Sequence, residues 1–228
     1  GAEHGSPGAE SGTYLIFGRS TSFPPDFDLA SLNGTNGMRI DMPNRNGFDA
    51  SAAGDYNDDG YADVIIGALQ FGNGQAKEGA AFVHLGSPTG ISSSAFLRYE
   101  SNQINGFMGE AVSTAGDVNG DGVSDLVTSA PTYGATSPTA SRGRVYVYSG
   151  LTGALLWKVT GAEGESLGLG LEGAGDVNRD GVGDVIAGAP GGNRAYVYSG
   201  RDGSVLHTLA GTTATATRLA AVSMRRAW

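Results

Sequence analysis

Three times along the chain, an acid-rich polar loop passes directly into a strand-like apolar run. The runs are "DVIIGA" from Asp63, "DLVTSA" from Asp125 and "DVIAGA" from Asp184. Each is followed by a second run rich in β-branched and aromatic residues and closed by glycine: "AFVHLG", "VYVYSG" or "AYVYSG". A short turn, "SPTG", "LTG" or "RDG", then leads into a further apolar run such as "ALLWKV" or "SVLHTL". No stretch sustains a 3.6-residue period. The pattern predicts four short strands per unit, in units of about 60 residues.

One four-stranded sheet of this length cannot bury both of its faces. Sheets stacked radially cover one another, so the expected fold is all-β, a β-propeller of four-stranded antiparallel blades with about three complete blades and a partial one. The predicted boundaries are a flexible arm over 1–11, a partial blade over 12–45, blades at about 46–105, 106–163 and 164–210, and a divergent tail over 211–228. Phe82, Tyr146 and Tyr196 hold equivalent places in the third strand, and Tyr14 in "TYLIFG" fits a fourth copy. These aromatics are expected to pack between blades.

The loops themselves repeat residue by residue. Counted from their first aspartate, position 1 is Asp55, Asp117 or Asp176, with spacings of 62 and 59 residues. Position 3 is Asn57, Asn119 or Asn178, and position 5 is Asp59, Asp121 or Asp180. Position 6 is Gly60, Gly122 or Gly181, and position 9 is Asp63, Asp125 or Asp184. Alternate oxygen-bearing side chains around a sharp glycine turn suit a hard cation, and a donor set without His or Cys favours Ca²⁺ over zinc or copper. The backbone carbonyl at position 7 (Tyr61, Val123, Val182) is expected to complete the ring, giving about three ions in all. An EF-hand starts alike but needs a bidentate Glu at position 12, where this chain has Ile66, Thr128 and Ala187. The bland alternative is three Asx-rich turns that cap hairpins without metal.

Charge fits the cation reading. The formal net charge is −9, and the loops contribute nine candidate carboxylates. Such a chain is a poor partner for nucleic acid or an anionic membrane surface. It has no cysteine, which excludes disulfides, thiolate metal sites and cysteine nucleophiles. No apolar run approaches the ~18 residues of a membrane helix.

These residues carry a resemblance. The unit resembles the FG-GAP repeat of integrin α-subunit propellers, named for a Phe-Gly pair and for Gly-Ala-Pro after the cation loop. "GAP" stands intact at Gly188 to Pro190, as "SAP" from Ser129 and as "GAL" from Gly67. The Phe-Gly slot holds Asn46-Gly47, Met108-Gly109 and Leu167-Gly168. The resemblance covers residues 12 to 210 and implies a propeller with Ca²⁺ in the hairpin between the first two strands of a blade, and a binding or adhesive role. It does not imply an integrin partner, since the chain has no Arg-Gly-Asp motif.

Other motifs are weaker. "GESLG" from Gly164 matches a nucleophile elbow around Ser166, and "GLGLEG" from Gly168 a dinucleotide fingerprint, but neither opens a helix. His4, His84 and His207 are scattered, and Asn33-Gly34-Thr35 is a formal glycosylation acceptor. The expected function is a calcium-stabilised extracellular binding or adhesion module, non-catalytic, with a protein or glycan ligand. The alternatives are a carbohydrate-binding propeller and a propeller-type polysaccharide-degrading enzyme. The spare acids Glu78, Glu110 and Glu163 form no recognisable catalytic pair. Three repeats leave the ring to be completed by further sequence, by a second chain through self-association, or by a closing strand from the tail.

Overall fold

A computed structural model describes residues 12–20, 22–42, 49–135, 137 and 140–211. The arm over 1–11, the closing strand expected from the tail beyond Gly211, and the Asn46-Gly47 pair lie outside the described residues.

Three four-stranded antiparallel sheets follow one another along the chain, each a simple meander. The first holds β3 (Asp49–Gly54), β4 (Asp63–Ala68), β5 (Ala80–His84) and β6 (Leu97–Glu100). The second holds β7 (Val112–Gly116), β8 (Asp125–Ala130), β9 (Arg144–Tyr148) and β10 (Leu155–Thr160). The third holds β11 (Leu171–Gly175), β12 (Asp184–Ala189), β13 (Arg194–Tyr198) and β14 (Val205–Ala210). Ahead of them β1 (Gly12–Ile16) pairs with β2 (Gly37–Asp41) in a two-stranded sheet, the partial blade. The first strands β3, β7 and β11 pack side by side, so the sheets fan out from a common line as propeller blades do. The all-β blade architecture expected from the repeat is the one observed.

The blades are joined by three separate apolar layers, each shared by two neighbouring sheets. Ile40 and Met42 meet Ile66, Ala68 and Phe82 between the partial sheet and the first full blade. Ile65, Val83 and Tyr99 of the first blade meet Leu126, Ala130 and Tyr146 of the second. Val127, Val145, Val147 and Trp157 of the second meet Leu171, Val185 and Ala187 of the third. The alternation of the pleat produces this: odd and even positions of one strand serve opposite neighbours. Phe82 and Tyr146 are buried in these layers and Tyr196 packs partly buried against the last, as packing aromatics should. Tyr14, on the open side of the partial sheet, is largely exposed.

In the first two blades the glycine just before the third strand marks a close inter-blade approach; the third blade has Asn193 there. Gly79 bridges Met108 and Gly143 bridges Leu167, both in parallel sense. Both glycines have positive φ, and a Cβ on either would fall within 2.2 Å of a backbone atom of the next blade. Only glycine satisfies both conditions. The two bridges also establish which residues of the first and second blades are equivalent.

Candidate metal centre

Each acidic loop lies in the hairpin between the first and second strands of its blade: β3–β4, β7–β8 and β11–β12. Each hairpin slips register by one residue before its loop, at Ala52/Gly54, Thr114/Gly116 and Gly173/Gly175. The glycine closing each slip has φ near +70°: +74° at Gly54, +74° at Gly116 and +68° at Gly175. This is a glycine β-bulge, which bends the strand end and aims the loop. The residue at position 4 is also left-handed in all three loops: Asp58, Gly120 and Arg179. Position 6 has φ of +89°, +89° and +91°.

The same hydrogen bonds then close each loop. The position 1 carboxylate accepts from the N–H groups of positions 5 and 6. The distances are 2.9 and 2.8 Å at Asp55, 3.1 and 2.9 Å at Asp117, and 3.0 and 3.0 Å at Asp176. The position 3 amide donates to the position 5 carboxylate at 2.8 Å for Asn57 and Asn119 and 3.0 Å for Asn178. The position 5 carboxylate accepts from the N–H of position 7, Tyr61, Val123 or Val182.

Position 9 behaves differently. Asp63, Asp125 and Asp184 are buried, and both oxygens of each accept from backbone N–H groups. One oxygen takes the residue after position 1: Tyr56, Val118 or Val177. The other takes a glycine in the turn between the third and fourth strands: Gly86, Gly150 or Gly200. This aspartate therefore ties its blade's two hairpin turns together, a role that the ligand pattern alone did not reveal. The glycine ending "AFVHLG", "VYVYSG" and "AYVYSG" was its signal in the sequence.

Electrostatics make the loops receptive to positive charge. Burial pushes the carboxyls of Asp63 and Asp125 up, against the pull of their N–H partners, and the neighbouring position 5 and position 1 aspartates push them further. At Asp180, the Asn178 amide, the Val182 N–H and Arg201 hold the carboxyl below its usual range. Among the described residues no three acidic or imidazole groups close on a common point. Positions 1 and 5 are turned instead onto the loop's own N–H groups. The residues nonetheless fit a hard cation. The donors are all oxygen, and at least three like charges share each short loop.

The discounted motifs take structural places. Ser166 is left-handed and its N–H bonds the Ser141 carbonyl, next to the Leu167 bridge, with no helix following. Gly168 to Gly173 leads into β11. His84 is buried with Nδ1 on the Ser92 carbonyl, and His207 lies exposed on β14. Asn33 accepts from both the N–H and the hydroxyl of Thr35 in an exposed turn.

Comparison with known proteins agrees with this construction. The FG-GAP repeat family model matches residues 48–84 and 108–148, which contain the first two loops. Integrin alpha-5 of Xenopus laevis is 31% identical over 188 residues, 76% of this chain and 17% of the relative. Integrin alpha-V of Gallus gallus is 32% identical over 169 residues, 66% of this chain and 15% of the relative. Integrin alpha-IIb of Homo sapiens is 30% identical over 160 residues, 64% of this chain and 15% of the relative. The chain thus spans under a fifth of the length of the integrins it matches. The third loop, outside the matched segments, repeats the bulge and hydrogen bonds of the first two, and the chain carries FG-GAP repeats and is similar to integrin α subunits.

Proposed function

We propose that the chain is a calcium-stabilised, non-catalytic binding module that works outside the cell in an adhesive role. The observation that carries the reading is the threefold identity of the loops, in dihedral angles and hydrogen bonds as well as in residue type. Asp55, Asn57, Asp59 and Asp63 would hold one ion, with the Tyr61 carbonyl. Asp117, Asn119, Asp121 and Asp125 would hold a second with Val123, and Asp176, Asn178, Asp180 and Asp184 a third with Val182. A bound cation supplies no chemistry here beyond neutralising crowded carboxylates and stiffening the hairpin. Millimolar extracellular calcium suits sites of modest affinity. Similarity to integrin α subunits supports a protein ligand.

Calorimetry on chelator-stripped protein tests the metal reading. About three calcium sites per chain are expected, and a stoichiometry near zero overturns it. The non-catalytic reading fails if the protein releases reducing ends from a polysaccharide. Glu78 is buried with Oε1 on the Asn73 N–H, which commits it to its own loop.

A further inference from the structure

At the end of the second blade opposite its acidic loop, residues 133–134 and 140–144 and the chain from Thr160 to Glu163 border an open cavity of about 240 Å³. Tyr133, Gly134, Arg142, Arg144, Thr160 and Glu163 line it. The guanidinium of Arg144 lies 3.5 Å from the centre of the Tyr133 ring and 5.9 Å from that of Tyr146. Its Nε donates to the Thr160 hydroxyl at 2.7 Å. Stacking and hydrogen bond together fix the plane of the group, so its outer N–H pair is presented as a rigid fork. The stem of Arg142 passes over Gly134, where a Cβ would sit 3.3 Å from Arg142 Cδ.

Neither arginine has an ion-pair partner among the described residues. That sets them apart. The strand arginines Arg39, Arg98 and Arg194 are paired with Asp41, Glu100 and Glu165. The Gly79 and Gly143 bridges align Arg142 with Glu78 and Arg144 with Ala80 of the preceding blade. The third blade repeats the arginine of position 144 as Arg194, but pairs it with Glu165, so the second blade differs in placing two unpaired cations beside one cavity, in a chain of net charge −9.

We propose that this cavity binds the carboxylate of an acidic sugar unit, a uronate at the end or branch of a glycan. Arg144 and Arg142 would take the carboxylate, since a planar guanidinium matches it bidentately. Glu163 would accept from the sugar's hydroxyl groups, and the Thr160 hydroxyl stands beside them. An acidic peptide of Asp and Glu lacks those hydroxyl donors. The cavity is smaller than the ~300–1,000 Å³ of drug-sized sites, so it admits a single sugar ring. This inference rests on the reading of the chain as a binding module and deepens it.

Titration of the calcium-loaded chain with sodium glucuronate, followed by amide chemical shifts, tests it. Shifts are expected at Gly134, Arg142, Gly143 and Arg144. Glucose should produce none, and Arg144→Lys should weaken binding about tenfold by losing the fork. Arg142→Gln should weaken it as well, and stands in if Arg144→Lys does not fold. The proposal is overturned if glucuronate moves none of these amides, or if glucose moves them equally. It is also overturned if sulfate or an acidic hexapeptide binds as well as glucuronate, or if neither substitution weakens binding. Calcium uptake measured on the same samples, at the opposite end of the blade, separates failure of this site from failure of the metal reading.

Discussion

The buried carboxylate of Asp125 accepts the N–H of Gly150 at 2.9 Å, joining two turns that stand 25 residues apart. Its other oxygen holds the Val118 N–H at 2.8 Å. Asp125→Ala leaves both donors without a partner inside the blade. Each orphaned group costs about 1–3 kcal/mol, so a loss of roughly 2–6 kcal/mol is expected. Urea unfolding in chelator should show that loss undiminished, because these bonds need no ion. A loss seen only with calcium would reduce Asp125 to a ligand.

Asp121 gives the opposite expectation. It lies near the surface and its partners are the Asn119 amide and the Val123 N–H of its own loop. Asp121→Ala should lower the melting temperature in calcium, and the gap to the parent protein should shrink in chelator. Scanning calorimetry in both buffers checks this; an equal gap in the two would argue against a metal role.

His84 sets a pH dependence. Burial pushes its pKa below 6.5, although the Ser92 carbonyl pulls it back upward. Below pH 6.5 the unfolded chain therefore binds a proton that the folded chain resists. The stabilisation from neutral His84 is complete above that pH and is lost as pH falls towards the folded value. The equivalent residues of the other blades are Tyr148 and Tyr198. His84→Tyr should flatten the stability profile just below pH 6.5. An unchanged profile in thermal melts across that range would assign the dependence elsewhere.

Gly143 tests the inter-blade bridge. A Cβ there would lie 2.2 Å from the Leu167 carbonyl oxygen, and φ is +75°. Gly143→Ala must part the second and third blades or strain the backbone, and a loss of at least 1–3 kcal/mol, roughly the cost of backbone strain alone, is expected. Gly120→Ala is the control. It shares a positive φ but has nothing within 4 Å, so about 1 kcal/mol is expected. Chemical denaturation of the two variants side by side provides the comparison.

Much of this was legible in the sequence because the repeat multiplies weak signals. One Asp-x-Asn-x-Asp-Gly loop is a turn; three at matching offsets, each before a strand, locate hairpins and blades together. The Met108-Gly109 and Leu167-Gly168 pairs marked bridge positions without revealing their partners, Gly79 and Gly143. What stayed hidden depends on long-range contact. The tie of Asp63 to Gly86 spans 23 residues and that of Asp125 to Gly150 spans 25, and both aspartates look like plain ligands in one dimension. Arg142 ends a connection whose path no periodicity describes, and Arg144 opens the strand that follows it. Only the fold brings Tyr133 beneath Arg144.

The three apolar layers lie between sheets, and this decides the order in which the chain comes apart. Opening the second blade would flood two layers at once, whereas peeling back the pair of β1 and β2 exposes only the one around Ile40 and Phe82. Among the described residues the second blade is therefore the one most tied to its neighbours. Amide protons of β8 and β9, in the blade that carries the arginine cavity, should reach solvent more slowly than those of β1 and β2.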